Sequence, residues 1–462
     1  GLAESLDFAR ERRQASGAPL VRAASGHRVR RASFAQERFW LLDQLAPDRA
    51  LHNVPMHFRL EGPLDETALE RSLQEIVIRH ETLRTTFTAA DGDLLQVVAP
   101  SLDLALPVSD LRHLAPAERE AEARRLAAEE NRRPFDLGAG PPVRARLLSL
   151  GREEHWLLLT LHHIVCDGWA REVLARELGT LYGTVATDQP SPLPELPIQY
   201  ADFAEWQRAA LTDAVLETRV ARWKQELGDT LPELALPTDR PRPPMPSFRR
   251  ASETITLSCA LSQALHALSR QEGASLFMTL VAAFQTLLHR YTGEDQIVIG
   301  SGVAGRNRVE LEGLIGIFAD FLVLRTDLSG DPEFLELLRR PRHVALRAYA
   351  DQDLPFEKLV EALQPHRDPR RRTTLRVNLD MENFPEADLA LSGLTVSRLP
   401  APEVGSRLDL TLTAREDKAG IRLSLAYSTD LFDPGTASRM LGHLQTLLEG
   451  AGQGLARAGA AR

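Results

Sequence analysis

The stretch WLLLTLHHIVCDGWAREVLARELGTLY, Trp156 to Tyr182, carries an apolar run into a paired-histidine loop and then directly into a helical pattern. Trp156 to Leu161 is short and rich in large apolar residues, which suits a buried strand. From Trp169 onward Leu174, Leu178, Leu181 and Tyr182 recur at helical spacing. Between them lie His162, His163, Asp167 and Gly168. A strand-to-helix junction holds a side chain rigidly at an edge, and imidazole exchanges a proton near neutral pH. The loop is therefore a candidate for acid/base work, for metal binding or for plain packing. Metal is the weakest of the three. Adjacent histidines on one extended segment point to opposite faces, and no second His/Cys cluster supplies further ligands.

Working outward, 462 residues exceed what one hydrophobic core usually organises, so two domains or lobes are expected. A net charge of −9 argues against nucleic acid as principal partner, since phosphate binding needs a basic surface. Two cysteines, Cys166 and Cys259, make no disulfide framework and fit a reducing compartment. No apolar run approaches the roughly 20 residues of a membrane helix, and the start does not read as a signal peptide. The expected location is cytoplasmic, with no membrane partner.

Residues 1–32 are polar and arginine-rich and read as a linker or N-terminal arm. Ser33 to Leu45 is a helix with a Ser cap. His52 to Gly62 alternates as a strand, Asp65 caps a following helix, and Asp91-Gly92 marks a hairpin. Glu118 to Arg132 is a charged surface helix, and Val143 to Leu150 pairs with Trp156 to Leu161. Prolines cluster across 188–250 around the helical QYADFAEWQ, which reads as a crossover between lobes. Beyond it come a strand at Glu253 to Leu257, helices at Ser262 to Gln271 and Leu276 to Tyr291, and strands at Gln296 to Gly300 and Ile317 to Thr326. A helix at Phe334 to Tyr349, three further strands and a final helix after Asp433-Pro434 complete the chain. The expected organisation is lobes at 33–187 and 251–462 in α+β proportion, with no close internal sequence repeat.

Seven blocks, in order, resemble the motifs of the condensation domains of nonribosomal peptide synthetases, a branch of the chloramphenicol acetyltransferase-like acyltransferases. HHIVCDGW is similar to their HHxxxDG active-site motif. SFAQERFWLLDQL (Ser33 to Leu45) and RHETLRTTF (Arg79 to Phe87) precede it. YADFAEWQ (Tyr200 to Gln207), IGIFADFLVLR (Ile315 to Arg325), QDLPFEKLV (Gln352 to Val360) and a degenerate RDPRRRTTLRVNLDMEN from Arg367 follow. The departures are Ala319-Asp320 for the usual Val-Asn, Ala170 where Ser is common, and the missing Pro-Leu-Phe of the last block. Heterocyclising relatives carry Asp at the first histidine, so His162 argues against ring formation.

The resemblance implies roles residue by residue. His163 is the candidate that orients or deprotonates the acceptor amine. His162 supports it. Asp167 makes a structural ion pair, with Arg79, Arg84 or Arg306 as candidate partners. Gly168 lets backbone approach the reacting centre, and its amide is a candidate oxyanion donor. Trp206 is a candidate pocket wall. Arg171 shares the apolar stripe of Leu174 and Leu178, where a charge is unexpected; there it either limits donor length or snorkels to solvent.

The implied fold is two chloramphenicol-acetyltransferase-like α+β lobes in a V-shaped pseudo-dimer with the active site in the central cleft. The implied reaction is amide-bond formation between a donor acyl thioester and the amine of a carrier-bound aminoacyl acceptor. Carrier domains and a neighbouring adenylation domain are the expected partners. No cofactor is expected to bind covalently, because the phosphopantetheine belongs to the carriers. The arginine-rich arm and Arg171 tilt the expectation toward a starter domain that N-acylates a first amino acid, with acyl-CoA as a candidate donor, over an elongating domain taking an aminoacyl or peptidyl donor. A non-catalytic, condensation-like recruitment platform is the reading from another class.

Overall fold

The structure is a computed structural model and describes residues 19–22, 28–45, 49–228, 231–330, 332–363, 375–382, 389–400 and 408–460, with side chains to residue 452 in the last helix. The opening of the seventh sequence block, 367–374, lies outside the described residues.

In chain order the first elements are β1 (Val29–Arg31), α1 (Phe34–Leu45), β2 (Asn53–Glu61), α2 (Glu66–Arg79), β3 (Thr85–Ala90), β4 (Asp93–Val98), β5 (Val108–Asp110) and α3 (Pro116–Arg132). Next come β6 (Val143–Ser149), β7 (Glu154–His162), α4 (Gly168–Val185), α5 (Tyr200–Ala210), α6 (Asp213–Leu227), β8 (Arg250–Thr256), α7 (Cys259–Gln271) and α8 (Leu276–Thr292). The chain continues through β9 (Gln296–Val303), α9 (Val309–Glu312), β10 (Asp320–Asp327), α10 (Phe334–Ala350), α11 (Phe356–Leu363) and β11 (Val377–Glu382). It closes with β12 (Thr395–Arg398), β13 (Leu410–Asp417), β14 (Gly420–Ser428) and α12 (Pro434–Ala460). None of the helices among the described residues is long and apolar enough to cross a membrane.

The chain divides into two compact units. Unit 1 holds the described residues within Gly1–Val215, Ala304–Ala319 and Phe384–Val404; unit 2 holds those within Leu216–Val303, Asp320–Asn383 and Gly405–Arg462. Neither unit is one continuous piece of chain, because two later segments return to unit 1.

Unit 1 is built on a sheet of order β12-β2-β7-β6-β5. Its middle strand explains the unbroken apolar run of LLLTL. Leu157, Leu159 and Leu161 face one core with Val54, Met56, Phe58 and Leu60 of β2 and the apolar sides of α2 and α4. Leu158 and Trp156 face the other core with Leu148 and the α3 residues Ala123 and Leu126. A strand covered on both faces has no reason to alternate. A smaller β1-β4-β3 sheet adjoins it. Its β3–β4 hairpin turns at Asp91 and Gly92, both left-handed (φ 52° and 87°), as an Asp-Gly hairpin requires. Within the arginine-rich N-terminal stretch, Arg30 of β1 pairs with Asp202 of α5 at 2.6 Å. Tyr200 and Phe203 of α5 pack with Leu20, Leu311, Leu314, Ile317 and Phe318, so QYADFAEWQ belongs to the core of unit 1.

Unit 2 is built on a sheet of order β10-β9-β11-β13-β14-β8, antiparallel except where β11 pairs β9 and β13 in parallel. One core gathers α7, α8, α10 and α12 around it. Two differences from the sequence reading stand out. The strand expected from Ile317 begins at Asp320, and β12, four residues long, carried no strand signal.

Candidate active site

The loop after β7 is fixed by its own polar groups before it meets any other element. His162 ends the strand, and its Nδ1 accepts the Ile164 N–H at 3.0 Å, starting a single 3-10 turn over His163–Val165. Asp167 caps α4, its Oδ1 accepting the Ala170 N–H at 2.7 Å. An Asp at this position satisfies one of the amides a helix start leaves open.

The two histidines part company here. His162 has no exposure, and its Nε2 lies 3.5 Å from Oδ1 of the equally buried Asp43. With Nδ1 occupied as an acceptor, the proton of a neutral His162 sits on Nε2, facing Asp43. This ring is shut away from any substrate. His163 is only half-buried, and it stacks on Phe39 with centroids 4.4 Å apart. Burial pushes its pKa down to about 4, against help from its own carbonyl and from the Asp167 charge. It is neutral at physiological pH. Its Nδ1 is buried and faces no acceptor beyond its own carbonyl, which leaves Nε2 as the nitrogen at the accessible edge.

Asp167 is 2 % exposed and has four donors. Besides Ala170, Oδ1 faces Arg306 Nη2 at 3.3 Å, while Oδ2 accepts the amides of Phe318 and Ala319 at 2.9 and 3.2 Å. Those two amides are why β10 starts late: N–H groups given to a carboxylate are not given to a strand partner. Arg306, itself buried, donates through Nη1 to the carbonyls of Leu311 and Leu314 and lies over the Phe318 ring at 4.2 Å. Of the three candidate partners of Asp167, Arg306 is the one in place. Arg79 instead pairs with Glu177 at 3.1 Å and Arg84 with Glu81 at 3.4 Å, so neither reaches Asp167. Both lie near the end of α2, where the nearer acidic side chains claim them.

Gly168 is exposed at the first position of α4, where its amide belongs to the helix's unpaired first turn. Arg171 is half-buried beside the fully packed Leu174 and Leu178, and its Nε is buried without a partner. Trp206 packs against Phe203, with Arg308 over its ring at 4.6 Å. Among the described residues no group of three His, Cys, Asp or Glu side chains is arranged to hold a metal ion.

Sequence reasoning missed Phe39 and Asp43, which back His163 and His162. The signal was present, since positions 39 and 43 lie one turn apart on the same side of α1. It also missed the chain in which Tyr200 OH donates to the Ile317 carbonyl at 2.6 Å and meets Ser33 Oγ at 2.8 Å. That chain joins three of the seven blocks.

A family model described as "Condensation domain" matches residues 28–457. The chain belongs to the condensation-domain family. Amide-forming acyl transfer within nonribosomal peptide synthetases is the reaction of that family, and the α+β fold is its chloramphenicol acetyltransferase-like fold. The condensation domain is 50 % identical over 418 residues to one of the linear gramicidin synthase subunits of Brevibacillus parabrevis, covering 90 % of this chain and 5 % of that protein. Two further linear gramicidin synthase subunits of the same organism are 46 % and 47 % identical, each over 90 % of this chain and 8 % of their own length. The chain thus spans a small fraction of these relatives. Among solved structures, the X-domain from teicoplanin biosynthesis has a TM-score of 0.83 at 30 % identity, covering 94 % of this chain and 97 % of that one. A four-domain nonribosomal peptide synthetase bound to AMP and glycine has a TM-score of 0.81 at 23 % identity, covering 92 % and 33 %. A mutant starter condensation domain of rhizomide synthetase in complex with C8-CoA has 0.75 at 22 %, covering 91 % and 95 %.

Proposed function

We propose that this condensation domain elongates a peptide. It joins a carrier-bound aminoacyl or peptidyl donor thioester to the amine of a carrier-bound acceptor. The observation that carries this reading is its even similarity, 46–50 % identity, to stretches of three subunits of one synthase, that of linear gramicidin. One peptide is initiated once, so at most one of the three subunits holds the initiating domain, and a sequence that resembles all three resembles the repeated step.

The amine lone pair attacks the donor carbonyl, the C–N bond forms, the C–S bond breaks, and the departing thiolate takes the proton the nitrogen gives up. His163 Nε2 accepts a hydrogen bond from the attacking amine and aims it. An imidazole held at about pKa 4 is a poor store for a proton from an amine near 8. The mismatch of about four units is roughly 5 kcal/mol, which favours positioning over proton abstraction. The Gly168 amide at the start of α4 donates to the developing oxyanion, while Asp167 and Arg306 hold the loop and transfer nothing. The phosphopantetheine arms belong to the carrier domains; those carriers and an adenylation domain are the partners, and the cytoplasm is the setting.

The starter reading, with acyl-CoA as donor, is favoured by one feature, the half-buried cation of Arg171 beside the loop. The platform reading is favoured by the resemblance to the X-domain, which has also been solved in complex with OxyB. One experiment separates all three. The domain is mixed with an aminoacyl acceptor carrier and, in parallel, an aminoacyl donor carrier or a series of acyl-CoAs, and products are read by mass spectrometry. Dipeptidyl carrier is expected. N-acyl product from acyl-CoA alone moves the assignment to the starter form, and no product from any donor moves it to the platform.

A further inference from the structure

The segment 311–319 supplies the Phe318 and Ala319 amides to Asp167, so whatever holds it holds the histidine loop indirectly. Its carbonyls are well served. Arg306 takes those of Leu311 and Leu314, Trp169 Nε1 takes that of Glu312 at 2.9 Å, and the Tyr200 hydroxyl takes that of Ile317. Of its own N–H groups, those of Leu311 and Leu314 donate to the carbonyls of Arg308 and Leu311, and those of Phe318 and Ala319 to Asp167. The Ile315 N–H needs an acceptor, and a buried amide without one costs about 1–3 kcal/mol. It finds Nδ1 of His80 at 3.3 Å.

His80 is 1 % exposed, and its other nitrogen lies 2.7 Å from Glu177 Oε2. Arg79 Nε bridges both oxygens of the same carboxylate at 3.1 and 3.2 Å. Burial works to raise the Glu177 carboxyl, but hydrogen bonds and charge from His80 and Arg79 outweigh it and keep the group below its ordinary range. Burial lowers the His80 imidazole against the pull of Glu177. The state that satisfies every atom is Arg79 charged, Glu177 ionised and His80 neutral with its proton on Nε2. Only that tautomer offers Nδ1 to Ile315 while donating to Glu177.

We propose that His80 is a positioning residue for the condensation reaction: locked as the Nε2–H tautomer by Glu177 and Arg79, it holds the Ile315 amide and, through Phe318, Ala319 and Asp167, the loop that carries His163. The proposal rests on the condensation reading. It assigns a task to the second sequence block, which lies far from the histidine motif in the chain and contributes no group to the reacting atoms.

Three variants of the full chain test it, with turnover measured per mole of folded protein. In His80→Asn the amide oxygen stands where Nδ1 stood and can still receive the Ile315 N–H. His80→Gln places its amide at the Nε2 position, and His80→Leu provides neither. Leu and Gln are expected to lower kcat about tenfold or more with KM for the acceptor carrier within twofold, because a small misplacement of the loop acts on the chemical step. Asn is expected to recover most of the loss. In wild type, ¹⁵N-labelled histidine spectra assigned by loss of one ring signal in His80→Asn should show the Nε2–H tautomer. Equal kcat for Leu and wild type, no advantage of Asn over Gln, or an Nδ1–H ring overturns the proposal. If the Leu variant does not fold, the Asn and Gln pair and the wild-type tautomer still decide. A wild-type protein that forms no amide product with any donor sinks the condensation reading itself, and the proposal with it, whatever the tautomer.

Discussion

Removing the Asp167 carboxylate should harm the protein more than removing the cation that faces it, and the hydrogen bonds say by how much. In Asp167→Ala the buried Arg306 loses its countercharge, and the amides of Ala170, Phe318 and Ala319 lose their acceptor together. Breaking a buried ion pair from one side costs about 3–5 kcal/mol, and the stranded amides put this case at the upper end. In Arg306→Met the carboxylate keeps three backbone donors, so its charge is not abandoned. The losses are the bonds to the Leu311 and Leu314 carbonyls and the long contact with Asp167 Oδ1, roughly 2–3 kcal/mol together. The double variant should cost less than the two single ones added, by about 1–3 kcal/mol. Urea unfolding followed by tryptophan fluorescence is the assay, since four of the five tryptophans (Trp40, Trp156, Trp169 and Trp206) lie in unit 1 and one, Trp223, in unit 2. A cost below about 1 kcal/mol for Asp167→Ala, or a larger cost for Arg306→Met, would refute this account of the loop. The result also bears on chemistry. An inactive Asp167→Ala protein whose unit 1 has loosened says nothing about proton transfer by Asp167.

His163→Ala should cut product formation by about 100-fold or more with little change in stability, whereas His162→Leu should destabilise by roughly 2 kcal/mol because it faces a buried carboxylate; comparing turnover with urea midpoints checks both, and the opposite pattern would exchange their roles. Arg171→Ala, offered short and long donors, should broaden the range of accepted donor lengths, and an unchanged profile shows that the side chain does not reach the donor. His57, buried in β2, has its pKa lowered to about 4 by burial, against the charge of Glu130. Above pH 6.5 it is neutral folded or unfolded and contributes nothing to the pH dependence. Below 6.5 the unfolded chain takes the proton first, so stability falls until the folded pKa is reached. Between pH 7 and 5 the loss is about 2 kcal/mol, and urea midpoints of His57→Leu should lack that part of the slope.

Much of this was legible in the residues. The buried strand, the histidine turn and the helix from Gly168 follow from an apolar run, an Asp cap and helical spacing, all of which act locally. Asp167 as architecture was also readable, although its partner was not. Three arginines had the right charge, and only the fold shows that Glu177 and Glu81 occupy two of them. The late start of β10 was hidden for the same reason. Ile317 to Ala319 has strand character, but a carboxylate about 150 residues earlier in the chain takes its amides. β12 escaped because TVSR is too short to alternate and acquires its strand geometry only by pairing with β2. Arg30 looked solvated beside its basic neighbours, and nothing near it in sequence announces Asp202.

That pairing of β12 with β2 has a consequence for synthesis of the chain. Thr395 pairs with Glu61 and Arg398 with Phe58, so the outer side of β2 stays open until more than 300 further residues have been made. At about 5–20 residues per second this is a delay of tens of seconds. Throughout it a nine-residue strand, buried along most of its length in the finished protein, presents unpaired N–H and C=O groups beside an incomplete core. The nascent chain is then most exposed to edge-to-edge association, and a ribosome-bound fragment ending before residue 395 should engage chaperones more than one extended past 400.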